Sequence, residues 1–435
     1  MLDLRLIREQ PQRVKSALVA LNTDAPIDEI LALDTRRRAL LTEVEALKAE
    51  RNEGSKLVNR TKDAAARQPL IDNLRGLGDQ IAHLDQQAKA ADTRLAELLL
   101  TVPNLPAPEV PVGPDESHNV VVAEEGTKPS FAFAPKPHWE LAEALGIIEF
   151  ERATKVSGAR FYALVGDGAR LQRALIAWML DLHRERHGYT EIAPPYLVTE
   201  QSLFGTGQLP KFRDTQFQTT AGDHWLIPTA EVPLTNLYRD EILDAAQLPI
   251  YHTAYTACFR REQFSGGRDV RGIKRSYQFD KVEMVKFVHP DESATEFRRL
   301  IEEASDILRL LGLPFRLLQI CTGDLSFTAA NKVDLEVWAA GAEEWLEVSS
   351  CATFLDFQAR RANIRFRPAD VGRPQFVHTL NGSGLALPRT VIALLEHYQL
   401  EDGTIAVPEV LRAYLGGQET IGVQPPLGPP RPPSA

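Results

Sequence analysis

The chain has 435 residues, 44% of them hydrophobic, and a formal charge of −10, which leaves room for two or three domains with substantial cores. No apolar run approaches the ~18 residues of a membrane span, and the opening MLDLRLIREQ interleaves acid with Arg where an export signal needs an apolar core. The acidic balance excludes a protein that coats nucleic acid with its whole surface, but a local basic face stays possible because screening acts over ~8 Å.

The first predicted elements form a long helical hairpin over about 27–99. Leu70, Leu74, Leu77, Ile81, Leu84, Ala88, Ala91, Leu95 and Leu98 repeat at alternating four and three residues, the a/d seam of a coiled coil. Ile30, Leu33, Leu40, Val44 and Leu47 keep the same period upstream, with Arg37 and Arg51 in seam slots. The polar TKDAAARQP separates the two seams, and its Pro69 suits the start of a second helix. Such a pair buries one stripe only and is expected to project as an arm. Dimerisation or spacing is the commonest use of a coiled coil, but the charges tilt the reading. Residues 48–67 carry Lys48, Arg51, Lys56, Arg60, Lys62 and Arg67 against Glu50, Glu53 and Asp63, a basic tip suited to phosphate.

A Pro-rich connector follows at 101–119. From about 130, helical stretches alternate with strand-like runs that meet through hairpins, predicting an antiparallel sheet carrying helices, an α+β architecture. The domain reading is therefore 1–105, a connector at 106–130, a globular domain at 131–422 and a disordered tail at 423–435, the last dozen residues holding six prolines. Cys258, Cys321 and Cys351 are odd in number and lack a CxxC pair. Three reduced thiols in a cytoplasmic protein follow, with neither a disulfide framework nor a zinc site.

The chemistry gathers in CFRREQFSGGRDVRGIKRSYQFDKVE, Cys258 to Glu283, which sets seven Arg or Lys against four Asp or Glu. Arg260 and Glu262 lie two apart, as do Lys281 and Glu283, so each pair shares one face of a strand, with Phe279 beside the second. That face can hold an anion, accept a polar edge and stack a base. Glu347-Val348-Ser349-Ser350 offers oxygen ligands for Mg²⁺, and Arg389 stands in the first turn of a Pro-started helix. Separately, each has a bland reading: a surface ion pair, a core aromatic, a decorated helix end.

Their order resembles a class II aminoacyl-tRNA synthetase, and within it the seryl-tRNA synthetase family. GYTEIAPPYLV is similar to motif 1, FRRE fills the F-R-x-E slot of motif 2, and GLALPRTVIALLE is similar to motif 3. PTAEVPLTN, RDVRG, QFDKVE, DFQARRA and HTLNGSGLA match phrases of the seryl family. The resemblance implies a homodimer with ATP, L-serine and tRNA(Ser) as substrates, tRNA(Sec) where the organism has one, Mg²⁺ arriving with ATP, and no membrane partner. It implies that Arg260 and Arg389 are catalytic, binding the α- and γ-phosphates. The ATP site would also take in Arg261, Glu262, Arg275, Ser276, Phe279, Glu347, Val348, Ser349 and Ser350, with the metal at Glu347 and Ser350. Serine would be enclosed by Thr229, Ala230, Glu231, Arg260, Glu283, Asn381 and Ser383. The tRNA would meet Lys48, Arg51, Lys56, Arg60 and Lys62 on the arm, and Arg268 and Arg271 near the motif 2 loop. Gln263-Phe264 and Tyr277 depart from the family's usual wording, as does LSFTAANKV. A synthetase-like ligase loading a carrier protein and a catalytically dead paralogue remain as rivals, although the long arm speaks against the first and the complete set of motif arginines against the second.

Overall fold

The computed structural model describes residues 1–262, 271–368, 372–425 and 427. Arg268, Gln263-Phe264 and, in the tail, residues 426 and 428–435 lie outside the described residues. The chain divides into two compact units, residues 1–19 with 23–103, and residues 20–22 with 104–435.

The first unit is dominated by α1 (Ile27–Arg60) and α2 (Ala64–Leu99), of 34 and 36 residues, each about 50 Å long at a rise of 1.5 Å per residue. Ile30, Leu40 and Val44 of α1 are buried, as are Leu77, Ile81, Ala88, Ala91, Leu95 and Leu98 of α2. Arg37, in a seam slot, forms an ion pair with Asp92 across the helices. Arg94 reaches Glu29 at 3.0 Å and Lys48 reaches Asp85 at 3.2 Å, so the helices run antiparallel. The second helix does not start at Pro69. It starts at Ala64, because the Asp63 carboxylate accepts from the N–H groups of Ala65 and Ala66, both at 3.3 Å, and supplies the cap. Pro69 then sits in the second turn, where its missing N–H forgoes the one bond that a regular helix would make to the Ala65 carbonyl.

The second unit is built on an eight-stranded sheet of β1 (Val120–Glu125), β2 (Thr190–Glu191), β3 (Ile250–Phe259), β4 (Gln278–Val288), β5 (Phe315–Gln319), β6 (Asn331–Ala339), β7 (Glu344–Leu355) and β8 (His378–Ala386). The spatial order is β1-β5-β6-β7-β8-β4-β3-β2. All neighbours are antiparallel except β2 and β3. Residues 120–125, inside the stretch read as a connector, are thus the edge strand of the main sheet.

The period-two rule sorts β4 cleanly. Val282 and Met284 face the larger core, with Phe297, Leu300 and Ile307 of α5 (Ser293–Leu310) and with Val391, Leu394 and Leu395 of α7 (Leu387–His397). Val285 and Phe287 face the other side and pack against α4 (Glu231–Asn236) and α6 (Phe357–Ala362). Each such buried side chain contributes ~1.5–3 kcal/mol. Lys281 and Glu283 share the second face. Lys286 shares the first, fully buried and paired with Glu296 at 3.0 Å and Glu303 at 2.9 Å, both from α5. Strand β8 needs glycine where helices press closest. A Cβ on Gly384 would lie 2.3 Å from Nε2 of His183, on α3 (Asp167–Glu185).

Candidate active site

A cleft of about 720 Å³ opens on the α4/α6 side of the sheet, lined by β4, β7, β8 and the ends of β3 and α7. At one end stands Arg260. Strand β3 ends at Phe259, so Arg260 and Glu262 lie past it and strand alternation does not bring them together. Arg260 Nε donates to the Pro228 carbonyl at 3.2 Å, and its guanidinium sits 5.2 Å from the centre of the Phe279 ring. Glu262 has a φ of 33° in the left-handed region, and its carbonyl accepts from Arg160 at 2.5 Å. Its carboxylate is 3.5 Å from Arg275. The expected Arg260–Glu262 pair is replaced by two separate contacts, which leaves Arg260 facing the cleft.

Arg389, at the start of α7, donates to the Glu347 carbonyl at 2.6 Å and lies 3.7 Å from the Glu347 carboxylate. Partial desolvation at the cleft wall pushes the Glu347 carboxyl upward, but Arg389, Lys332, Arg260 and Arg275 together outweigh it and hold the group below its ordinary value. A β-bulge decides which side chains reach this end. Glu336 opposes Glu347 and Leu335 opposes Ser349, so Val348 is the extra residue. The bulge turns Glu347 to the same side as Ser350, three positions on, while Ser349 points away and donates to the Ser383 carbonyl at 2.6 Å.

The other end is acidic. Glu231, Lys281 and Glu283 are all buried. Lys281 forms an ion pair with Glu283 and donates to Thr229 Oγ1 at 2.9 Å. Glu283 also accepts from Asn381 at 2.9 Å and from the Thr229 hydroxyl at 3.3 Å. Thr229 Oγ1 further accepts from the Glu231 N–H at 3.2 Å, so its one proton and both lone pairs are engaged. Glu231 Oε1 accepts from Gln358 at 2.5 Å, and Thr379 fixes Gln358 by donating to it at 2.7 Å. Burial first, then the like charge of Glu283, raises the Glu231 carboxyl to about 7.

The cleft gathers Thr229, Glu231, Arg260, Glu262, Arg275, Ser276, Phe279, Glu283, Glu347, Val348, Ser350, Asn381, Ser383 and Arg389. Arg261, Ala230 and Ser349 do not line it. Arg271 is exposed, 6.0 Å from the Trp139 ring. On the arm, Lys48 and Lys56 are held by Asp85 and Glu53, whereas Arg60 and Lys62 are exposed and make no ion pair among the described residues.

Residues 1–106 match the seryl-tRNA synthetase N-terminal domain. Residues 216–398 match the class II core domain of the tRNA synthetases for G, H, P, S and T. The serine–tRNA ligase of Thermomicrobium roseum is 62% identical over 425 residues, covering 98% of this chain and 96% of its own. That of Herpetosiphon aurantiacus is 60% identical, covering 97% and 100%. The chain belongs to the seryl-tRNA synthetase family.

Among solved structures, the seryl-tRNA synthetase from Pyrococcus horikoshii complexed with ATP gives a TM-score of 0.92 at 36% identity, covering 98% of this chain and all of its own. The cytoplasmic serine–tRNA ligase from Naegleria fowleri in complex with AMP gives 0.88 at 27%, covering 98% and 99%. Within this synthetase, one cleft residue and two residues that hold cleft side chains escaped the sequence. Lys281 had been placed on the face of Glu283 without a role. Gln358 stood unassigned inside DFQARRA. Asp334, 3.3 Å from Lys332, was one acid in an alternating strand.

Proposed function

We propose that this cleft carries out both steps of a serine–tRNA ligase reaction, with ATP at the Arg260–Arg389 end and L-serine at the Glu231–Glu283 end. One observation carries the reading: the two ends of a single cleft are incomplete in opposite senses. Among the described residues, Lys274, Arg275, Lys281, Lys332 and Arg389 each have a carboxylate within 4 Å, and Arg260 alone of the lining cations has none. Across the cleft, and among the described residues, both oxygens of Glu283 and Oε1 of Glu231 are engaged and Glu231 Oε2 is not. An anion completes the first end and an ammonium the second.

The serine carboxylate is ionised at neutral pH and needs no general base. It attacks the α-phosphorus of ATP, the new C–O–P bond forms, and the bond to pyrophosphate breaks. The obstacle is repulsion between anions, so Arg260 at the α-phosphate and Arg389 at the γ-phosphate act by neutralising charge and holding the groups in line. Phe279 offers a face for adenine, and Glu262 an acceptor for its amino group. In the second step a hydroxyl of the terminal tRNA adenosine attacks the seryl carbonyl, and AMP leaves.

Glu347 and Ser350 present hard oxygen donors to the cleft. Among the described residues no group of three or more His, Cys, Asp or Glu side chains is placed to hold an ion unaided. This donor set fits Mg²⁺ carried by nucleotide phosphates, where it would shield their charge.

The exposed cations at the tip of the α1–α2 hairpin are assigned to the backbone of tRNA(Ser), read by shape, and tRNA(Sec) would be taken the same way. No described helix is long and apolar enough to cross a membrane; the cytoplasm as the place of action and a homodimer as the working form are parts of the proposal. ATP–pyrophosphate exchange across amino acids, followed by charging of total tRNA, tests the proposal. Serine-dependent exchange with charging of serine tRNA is expected. Exchange without charging points to a carrier-protein ligase, and no exchange to a protein that only binds.

A further inference from the structure

The acidic end of the cleft holds two buried carboxylates and, paired with one of them, a buried cation that attraction of an ammonium does not call for. Lys281 reaches Glu283 and the Thr229 hydroxyl from the same strand face as Glu283, and all three are buried. An amino acid brings its own ammonium, so a pocket built only to attract it would be best served by both acids and no lysine. We propose that Lys281 is a positioning and specificity residue, whose charge cancels one of the pocket's two carboxylates so that the pocket accepts one ammonium and no second. This rests on the reading of the pocket as the serine site.

The charge count supports it. Glu231, Glu283 and Lys281 together carry one net negative charge when both acids are ionised. A bound α-amino group brings that to zero, and a further cation would be left uncompensated in a buried site, which is costly. Geometry divides the roles. Glu283 is fully committed to Lys281, Thr229 and Asn381, while Glu231 keeps Oε2 open. Gln358, braced by Thr379, sets its other oxygen. The Arg260 guanidinium also bears on Glu231, but on the proposed reading its charge is taken by the α-phosphate; the thiols of Cys258 and Cys351 lie close to Glu283. Burial raises both thiols, Cys351 to about 12, so they stay neutral.

The discriminating ligand is 2,3-diaminopropionate, which has the shape of serine with an amine in place of the hydroxyl. In pyrophosphate exchange, the wild-type enzyme is expected to use it at least ~10-fold less well than L-serine at a pH where both its amines are protonated, and the gap should narrow as the second amine loses its proton. Lys281→Met removes the charge at similar volume, and with it the group that holds Glu283 and the Thr229 hydroxyl in place. Through that lost positioning it should raise the KM for serine at least ~10-fold, leave the KM for ATP within ~2-fold, and shift the diaminopropionate-to-serine ratio at least ~10-fold toward the diamine. Its serine KM should also worsen more steeply than that of the wild type as pH falls, because two carboxylates without a cation share a proton. Lys281→Arg should restore discrimination. An unchanged serine KM and diamine ratio in a Lys281→Met enzyme that still binds ATP overturns the proposal. If that variant does not fold, the wild-type comparison decides, and equal use of both amino acids overturns it. A wild-type enzyme that does not activate serine at all refutes the serine site itself, a separate outcome.

Discussion

Arg260 reaches the cleft with a packed ring behind it and no carboxylate to satisfy. Arg260→Ala should therefore remove charge stabilisation from adenylate formation, lowering exchange by ~10²–10³-fold, a loss typical of a preorganised donor. Exchange at the wild-type rate would remove Arg260 from its role. Glu231 makes a different forecast. Its carboxyl is raised to about 7, so as pH falls through that value it takes a proton and can no longer pair with an ammonium. The KM for serine should climb below pH 7 while the KM for ATP stays flat, as pH-dependent exchange kinetics would show. The linkage to folding has the opposite sense. The folded state holds this proton more tightly than a model carboxyl of 4.5 does, so the contribution of Glu231 to stability declines as pH rises from about 4.5 to 7. Motif order made Arg260, Glu262, Phe279 and Glu283 legible in the sequence, but not the direction in which each neighbour points. Glu347 and Ser350 would face opposite ways on a regular strand, and only the bulge at Val348 joins them. A bulge leaves no residue-type signature here, so Ser349 was counted in and Lys281 was passed over.

Periodicity carries most of the information on the helical hairpin, and capping chemistry the rest. The seam was legible because a missed heptad position exposes Leu or buries charge, whereas the start of α2 turned on one side chain, Asp63. Truncating the hairpin between the Arg37–Asp92 level and its tip keeps the Glu29–Arg94 pair at the base. Serine-dependent exchange should persist in that variant while tRNA charging is lost; charging at the intact rate would show that the arm does not hold tRNA. In the sheet, Lys286 pins β4 to α5 through Glu296 and Glu303. Lys286→Met leaves two buried acids without their cation and should cost ~3–5 kcal/mol, read as a lower melting temperature. The edge strand β1 was hidden because VVVAEE sits beside a Pro-rich connector and gains its pairing only from β5, almost two hundred residues away in the chain.

Across the whole molecule, the charge of −10 looks unsuited to two polyanionic substrates. On the proposed reading the exposed cations at the hairpin tip meet the tRNA backbone, and tRNA charging should weaken steeply with salt, as counterion release requires. The cleft behaves differently. Apart from Arg260, its cations already hold acids of the protein: Arg389 has Glu347, Arg275 has Glu262, and Lys332 has Asp334. On the proposed reading, a phosphate fills an open place only at Arg260; at the others it takes over a partner that a carboxylate gives up. Binding there is a trade of one anion for another, in which little net charge is neutralised. The KM for ATP should consequently change far less between low and moderate salt than the KM for tRNA, and parallel salt titrations of exchange and charging would show it. The same pairing means that an empty cleft is already shaped, its arginines held close to their working positions by substitutes that belong to the protein itself.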